Sequence, residues 1–211
     1  MRADAAVIVF ARAPLPGRAK TRLVPKLGAW GAARLQAQLT ERALRSALAS
    51  RCGPVELHGT PGNRHPFFLR EQGRLGIFVK KQSGRDLGER MHHALAVALR
   101  RHRYAILIGV DAPELRARDL RRARRLLRAG SDMVFAPAED GGYALIGCRR
   151  APRPVFEHVD WGGNEVWSQT VQRLERLRLR WRALRMVWDV DRPEDLVRLD
   201  RRRLMLTLRA S

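Results

Sequence analysis

The chain has 211 residues, an apolar fraction of 45% and a formal net charge of +21. This length allows a sizeable core, the apolar content is that of a folded protein rather than a disordered one, and no apolar stretch is long enough to span a membrane. The charge invites a nucleic-acid reading, but Lys occurs only at 20, 26, 80 and 81, every other basic residue is Arg, and the Arg residues are spread along the chain without a basic tail.

An anionic small substrate such as a nucleotide suits this distribution, and nucleic acid is not expected as a partner. Cys52 and Cys148 have no zinc-site spacing and read as two reduced thiols in a cytoplasmic protein.

In chain order, Arg2 followed by residues 5–11 superficially resembles a leader peptide. The run is short and gives way to Pro, Gly and Arg, so it reads better as a first strand. Residues 12–28 hold five cations (Arg12, Arg18, Lys20, Arg22 and Lys26), three prolines and two glycines. They predict a stiff loop, neither helix nor strand, whose cations suit phosphate. Residues 30–49 have helical periodicity through Leu35, Leu39 and Leu44. Strands are predicted at 54–60 and 76–80, with a loop able to hold a short helix between them.

Asp86 and Glu89 have capping-box spacing and open a helix running to about residue 102. Arg90 lies in its first turn, where an acid is the usual choice, and is a candidate anion contact. His92 and His93 point about 100° apart on a helix and cannot share a metal; they read as surface or partly packed residues.

Residues 105–108 form an apolar run suited to a strand buried on both faces. It leads through Gly109 to Asp111, with Pro113 as the stop. Open α/β sheets bind ligands at the carboxyl ends of their strands, which makes Asp111 a candidate ligand for a metal, a ribose or a base. Residues 118–128 predict a helix with a solvated arginine face.

Strands are predicted at 132–137 and 144–148. Between them, Asp140-Gly141-Gly142 reads either as a hairpin turn or as a turn that admits a substrate to the backbone. Trp161 reads as core or as pocket lining. Asn164 can cap a helix to about residue 177. A last strand is predicted at 184–190, carrying Asp189. Asp191 and Glu194 then have capping-box spacing, with Pro193 in the first turn of a helix running to about Leu206. Strands and helices alternate through most of the chain, which predicts one α/β domain over residues 1–211 with a mixed, mostly parallel sheet.

Three features converge: the cationic loop, Asp111 and the Asp189/Asp191 pair. Carboxylates from separate strand ends can hold a divalent metal that bridges phosphate oxygens, while the cations take the remaining charge. A P-loop is disfavoured because Ala19 stands where Gly must precede Lys20, and Pro25 and Gly28 interrupt the helix that should follow Thr21. A dinucleotide-binding domain is excluded because no G-x-G-x-x-G follows the first strand.

Five ordered motifs carry a resemblance: Phe10-Ala-Arg-Ala-Pro-x-Pro-Gly-Arg-x-Lys-Thr-Arg-Leu23, Asp86-Leu-Gly-Glu-Arg-Met91, Ile108-Gly-x-Asp-x-Pro113, Pro137-Ala-x-Asp-Gly-Gly-Tyr143 and Asp189-Val-Asp-x-Pro-Glu-Asp195. They resemble the DUF2064 family, which is glycosyltransferase-A-like and similar to 2-phospholactate guanylyltransferases and other nucleotide-diphospho-sugar transferases. The resemblance implies a GT-A, Rossmann-like three-layer α/β/α sandwich.

It also implies that Arg12, Lys20, Thr21 and Arg22, joined by Arg90, contact the nucleotide. Asp111 and Lys20 would lie at the reacting bond. Asp111 and Asp191 would hold Mg²⁺ or Mn²⁺. Asp140, Gly141, Gly142 and Tyr143, with Trp161, would face the sugar or acceptor. Two chemistries remain open at this stage: transfer of a sugar from a nucleotide-sugar, or transfer of a nucleotidyl group from a nucleoside triphosphate to a phosphorylated acceptor. An Arg-rich nucleic-acid-binding protein is the non-enzymatic alternative.

Overall fold

The computed structural model describes residues 4–201. Arg2 and the expected end of the last helix at Leu206 lie outside the described residues. A seven-stranded sheet runs through the molecule in the order β3-β2-β1-β4-β6-β5-β7. Its strands are β1 (Ala5–Arg12), β2 (Val55–Thr60), β3 (Phe78–Lys81), β4 (Tyr104–Ile108), β5 (Met133–Pro137), β6 (Tyr143–Cys148) and β7 (Trp181–Ala183). β6 runs antiparallel to both its neighbours, and every other pairing is parallel. The sheet is therefore mixed and mostly parallel, as the alternation predicts.

Alternation along β1 sorts its side chains into two cores. Val7, Val9 and Ala11 join one core with α1 (Val24–Ser50), α2 (Pro66–Leu75) and α4 (Ala117–Arg128). Ala6, Ile8 and Phe10 join the other with α3 (Leu87–Leu99) and α5 (Val166–Arg176). Both central strands, β1 and β4, are buried almost throughout, which is why they read as unbroken apolar runs. The second core ends in an aromatic ladder: Phe135 meets Tyr143 at 5.2 Å and Trp167 at 5.3 Å, and Trp167 meets Trp181 at 5.6 Å.

Four local expectations change. The first loop ends earlier than residue 28: a 3-10 turn at Thr21–Leu23 leads directly into α1 at Val24. Pro25 sits in the first turn, where its missing N–H costs nothing, and Gly28 adopts φ 70°, ψ 166°, a break that kinks the helix without ending it.

The second change is in the last strand, which is short. β7 stops at Ala183, and residues 184–190 follow the sheet through separate bonds: Leu184 N to Phe135 O at 2.7 Å, Val187 N to Pro137 O at 2.9 Å and Val190 N to Asp111 O at 2.9 Å.

Third, Asn164 does not cap α5, which starts at Val166 after Glu165. The backbone of Asn164 instead lies against Gly141. Fourth, the box at the start of α6 (Pro193–Arg201) is closed by Asp195, whose Oδ2 accepts from the N–H groups of Asp191 and Arg192 at 2.9 and 2.7 Å. The Asp191 carboxylate is thereby left for other work. Cys52 and Cys148 are both free and buried, and among the described residues no helix is long and apolar enough to cross a membrane.

Candidate active site

A cavity of about 600 Å³ opens at the carboxyl edge of the sheet. This is where β1 and β4 end and where the antiparallel β6 begins. Of the residues singled out in the sequence, Arg12, Lys20, Thr21, Arg22, Asp111, Asp140, Gly142, Tyr143, Trp161 and Asp191 line it. Gly141 and Arg90 do not. Arg90 turns back along its own turn, its Nε donating to the carbonyl of Gly84 at 3.0 Å, so the structure does not bring it to the cavity.

The cationic segment is folded onto the site by its own backbone and by its neighbours. Arg12 at the end of β1 donates to the carbonyl of Arg18 at 3.2 Å, curling residues 12–18 into a compact loop. Lys20 adopts a left-handed backbone, φ 49° and ψ 47°, which is uncommon for a residue with a side chain and marks a conformation fixed by its surroundings. Its ammonium donates to the carbonyl of Val190 at 2.5 Å and pairs with Asp111 Oδ1. The Lys20 side chain is 5% exposed, whereas that of Asp111 is 51% exposed. Arg22 pairs with the Asp191 carboxylate in the open mouth of the site.

The carboxylates arrive from three other segments. Asp111 follows β4, Asp140 sits in the β5–β6 connection, and Asp189 and Asp191 flank the buried Val190. Burial, and then the nearby carboxylates of Asp140 and Asp111, push the Asp189 carboxyl up to about 6, with Lys20 acting in the opposite direction.

Among the described residues, no three His, Cys, Asp or Glu side chains stand together as a metal cage. A nucleotide-bound Mg²⁺ or Mn²⁺ needs less: one or two carboxylates, with phosphate oxygens and water completing the shell. Asp111, Asp189 and Asp191, lining one cavity, are a donor set of that kind.

The Asp140-Gly141-Gly142 segment is both a hairpin turn and part of the cavity. Asp140 Oδ1 accepts the Gly142 N–H at 2.9 Å. Gly141 has φ 87°, and a Cβ there would lie 1.8 Å from the carbonyl oxygen of Asn164. Only glycine allows the turn to touch the segment leading into α5.

Trp161 meets Tyr143 edge to face at 6.4 Å. Its indole presses on Gly88 in α3, where a Cβ would lie 2.4 Å from Nε1. The loop that carries it is tied down by Arg173, whose Nε donates to Glu157 O at 2.9 Å and whose Nη2 donates to His158 O.

Arg18, one of the five loop cations, also lines the cavity, whereas sequence reasoning missed Gln36, Gln82 and Leu87 as lining residues. Gln36 and Gln82 are buried amides. Gln36 donates to the carbonyl of Arg12 at 3.1 Å, and Gln82 donates to those of His58 and Ala11 at 2.9 and 3.5 Å. Gln36 carried one usable signal: an amide set beside the Leu35 and Leu39 stripe has to satisfy its donors on something other than water.

A family model described as "uncharacterized protein conserved in bacteria (DUF2064)" matches residues 43–163. A protein from Desulfovibrio desulfuricans G20, provisionally described as a nucleotide-diphospho-sugar transferase, has a crystal structure 30% identical to this chain. It has a TM-score of 0.82, and the match covers 91% of this chain and 84% of that one. CMP:2-keto-3-deoxy-manno-octonic acid synthetase, complexed with CTP, shares the fold at 14% identity and a TM-score of 0.59, with 95% and 98% of the two chains covered. Rv0371c from Mycobacterium tuberculosis H37Rv, complexed with manganese, shares it at 20% identity and a TM-score of 0.54, with 92% and 96% covered.

No curated protein matches this chain. With a family model spanning more than half of its length and a solved relative alike over nine-tenths of it, the chain belongs to the DUF2064 family.

Proposed function

We propose that the protein is a glycosyltransferase that takes a sugar from a nucleotide-sugar, assisted by Mg²⁺ or Mn²⁺, and passes it to an acceptor hydroxyl. One observation carries this reading. In a single cavity, four cations from residues 12–22 face four carboxylates from three other segments, as a diphosphate and its metal require.

Arg12, Arg18 and Arg22 would bind the phosphates, with Thr21 beside them. Lys20 stands next to Asp111, at the bond to be broken. Asp111 and Asp191 would hold the cation, with Asp189 within reach of the same charge. When bound, the cation would stabilise the charge that develops on the departing diphosphate. Gln82 commits its amide donors to main-chain carbonyls, leaving its oxygen to accept from a base.

In the transfer, the acceptor oxygen forms a bond to the anomeric carbon. The bond from that carbon to the diphosphate oxygen breaks, and its electron pair leaves with the nucleoside diphosphate. The hydroxyl proton passes to Asp140, the carboxylate on the Tyr143 side of the cavity. The solved relative from D. desulfuricans, with its provisional transferase description, supports the class.

A second reading, nucleotidyl transfer with release of pyrophosphate, draws support from the number of cations, which suffices for a triphosphate, and from a fold shared with a synthetase complexed with CTP.

A thermal-shift screen of nucleoside triphosphates and nucleotide-sugars with Mg²⁺ or Mn²⁺ tests both readings, since a ligand of the native state raises the melting temperature by mass action. Stabilisation by UDP- or GDP-sugars above that by the triphosphates is expected. The reverse order selects nucleotidyl transfer, and no metal-dependent response to any nucleotide overturns both.

A further inference from the structure

Charge divides the cavity into two ends. Its cations all belong to residues 12–22, and its carboxylates follow at Asp111, Asp140, Asp189 and Asp191. Beyond them, towards α3, β6 and the start of α5, the lining is Leu87, Met91, Tyr143, Trp161 and Val166, with no Arg or Lys among the described lining residues at that end. These side chains form one wall. Tyr143 and Trp161 are in contact, and Trp161 lies on Gly88, the neighbour of Leu87. Leu87 is 43% exposed at the rim, while Gly88 and Met91 beside it are buried. A large aliphatic group left in water beside an aromatic surface suits a ligand that covers both.

We propose that this wall receives the acceptor, and that the acceptor is an uncharged hydroxyl compound with a planar or apolar face rather than a phosphate ester. The proposal rests on the transferase reading above and adds the chemical class of the second substrate. A phosphate monoester carries nearly two negative charges at neutral pH. It would reach this wall past Asp140 and Asp189, and no cation of the wall would bind it. An unphosphorylated compound meets no such repulsion and buries its apolar face on Trp161 and Leu87. It also supplies the hydroxyl oxygen that forms the new bond.

The test uses the full chain and a matched pair of probes, p-nitrophenyl β-glucoside and p-nitrophenyl phosphate, followed by saturation-transfer NMR. Measurements are made without nucleotide and with a nucleoside diphosphate and Mg²⁺ filling the cationic end. With that end filled, the glucoside is expected to bind at least about tenfold more tightly than the phosphate. Trp161→Ala is expected to abolish glucoside binding while changing nucleotide affinity by less than about twofold. Leu87→Arg, which places a cation on an exposed rim position, is expected to move the preference towards the phosphate.

The proposal is overturned if the phosphate binds as tightly as the glucoside in the filled protein. It is also overturned if neither probe saturates at millimolar concentration, or if Trp161→Ala weakens nucleotide as much as probe, which would give the wall to the base. Failure of every nucleotide to bind with Mg²⁺ or Mn²⁺ overturns the transferase reading instead, and the glucoside arm without nucleotide still decides the character of the wall.

Discussion

The first loop and the segment after the last strand approach the same residue, Asp111, from opposite ends of the chain, one at its carboxylate and one at its main-chain carbonyl, and they are held by different means. Residues 12–22 are fixed by tight local turns and by a left-handed lysine, and they present cations. Residues 184–191 are stretched along the sheet edge on separate backbone bonds, and they present acids. Neither segment is complete alone. Lys20 is anchored by the carbonyl of Val190, and Asp191 is paired with Arg22. The site is thus a seam between two halves of the chain, and a change on one side should be felt on the other.

The sharpest break in that seam is at Asp111. Asp111→Asn keeps an acceptor for Lys20 but loses the charge. We expect about a hundredfold loss of metal-supported nucleotide affinity, on the order of 3 kcal/mol, with the fold retained. Titration calorimetry of nucleotide with Mg²⁺ reads this, and unchanged affinity would remove Asp111 from the metal site.

Gly141→Ala should cost a similar amount in stability rather than in binding. Its Cβ would collide with Asn164 at a positive φ, roughly a 3 kcal/mol penalty. Gly142→Ala, where the nearest contact is Asp140 Oδ1 at 3.2 Å, is the milder control in urea unfolding.

A smaller effect lies on β2, away from the cavity lining. Burial opposes ionisation of Glu56, but hydrogen bonds from His58 and Lys80 outweigh it and hold the carboxyl down to about 2, against 4.5 ordinarily. Because the folded value is the lower one, this stabilisation is present above about pH 4.5 and is lost as pH falls towards about 2. After solvent screening it amounts to about 1–2 kcal/mol. Glu56→Gln should flatten the acid limb of a stability–pH curve, and an unchanged limb would show that the pair contributes nothing.

The smallest effect is expected at Arg22→Gln. That ion pair is exposed, at 68% and 38%, and its loss should move stability by less than about 1 kcal/mol. Lys20→Gln, which removes a buried ammonium with two partners, should move it more. Equal losses in thermal unfolding would mean that the two segments are held alike.

The parts of this seam differ in how far they can be read from residues alone. β1 and β4 are legible because burial on both faces leaves nearly unbroken apolar runs. The start of α1 is not, because Pro25 and Gly28 read as breakers, although one suits a first turn and the other a kink. Residues 184–190 read as a strand because Leu184, Val187, Trp188 and Val190 are apolar and buried; nothing in that pattern reveals that the ladder is interrupted. Asp195 took the capping role that spacing gives to Asp191 and Glu194, since a carboxylate one residue further on reaches both free N–H groups. Arg12, Lys20, Asp111 and Asp140 reach one cavity from motifs visible in sequence. Gln36 and Gln82 have no motif, because an amide donating to a main-chain carbonyl leaves no spacing to find.

Lys20 has one further consequence. Its ammonium already occupies Asp111 Oδ1, so the protein carries an internal counter-ion where a divalent cation would go. The resting site is self-neutralising, and an incoming cation must compete with a tethered one. Affinity for the free metal should therefore be weak, rising only when phosphate oxygens arrive to give the displaced ammonium a new partner. On the proposed reading, a pocket built this way would favour a metal–nucleotide pair over either component alone.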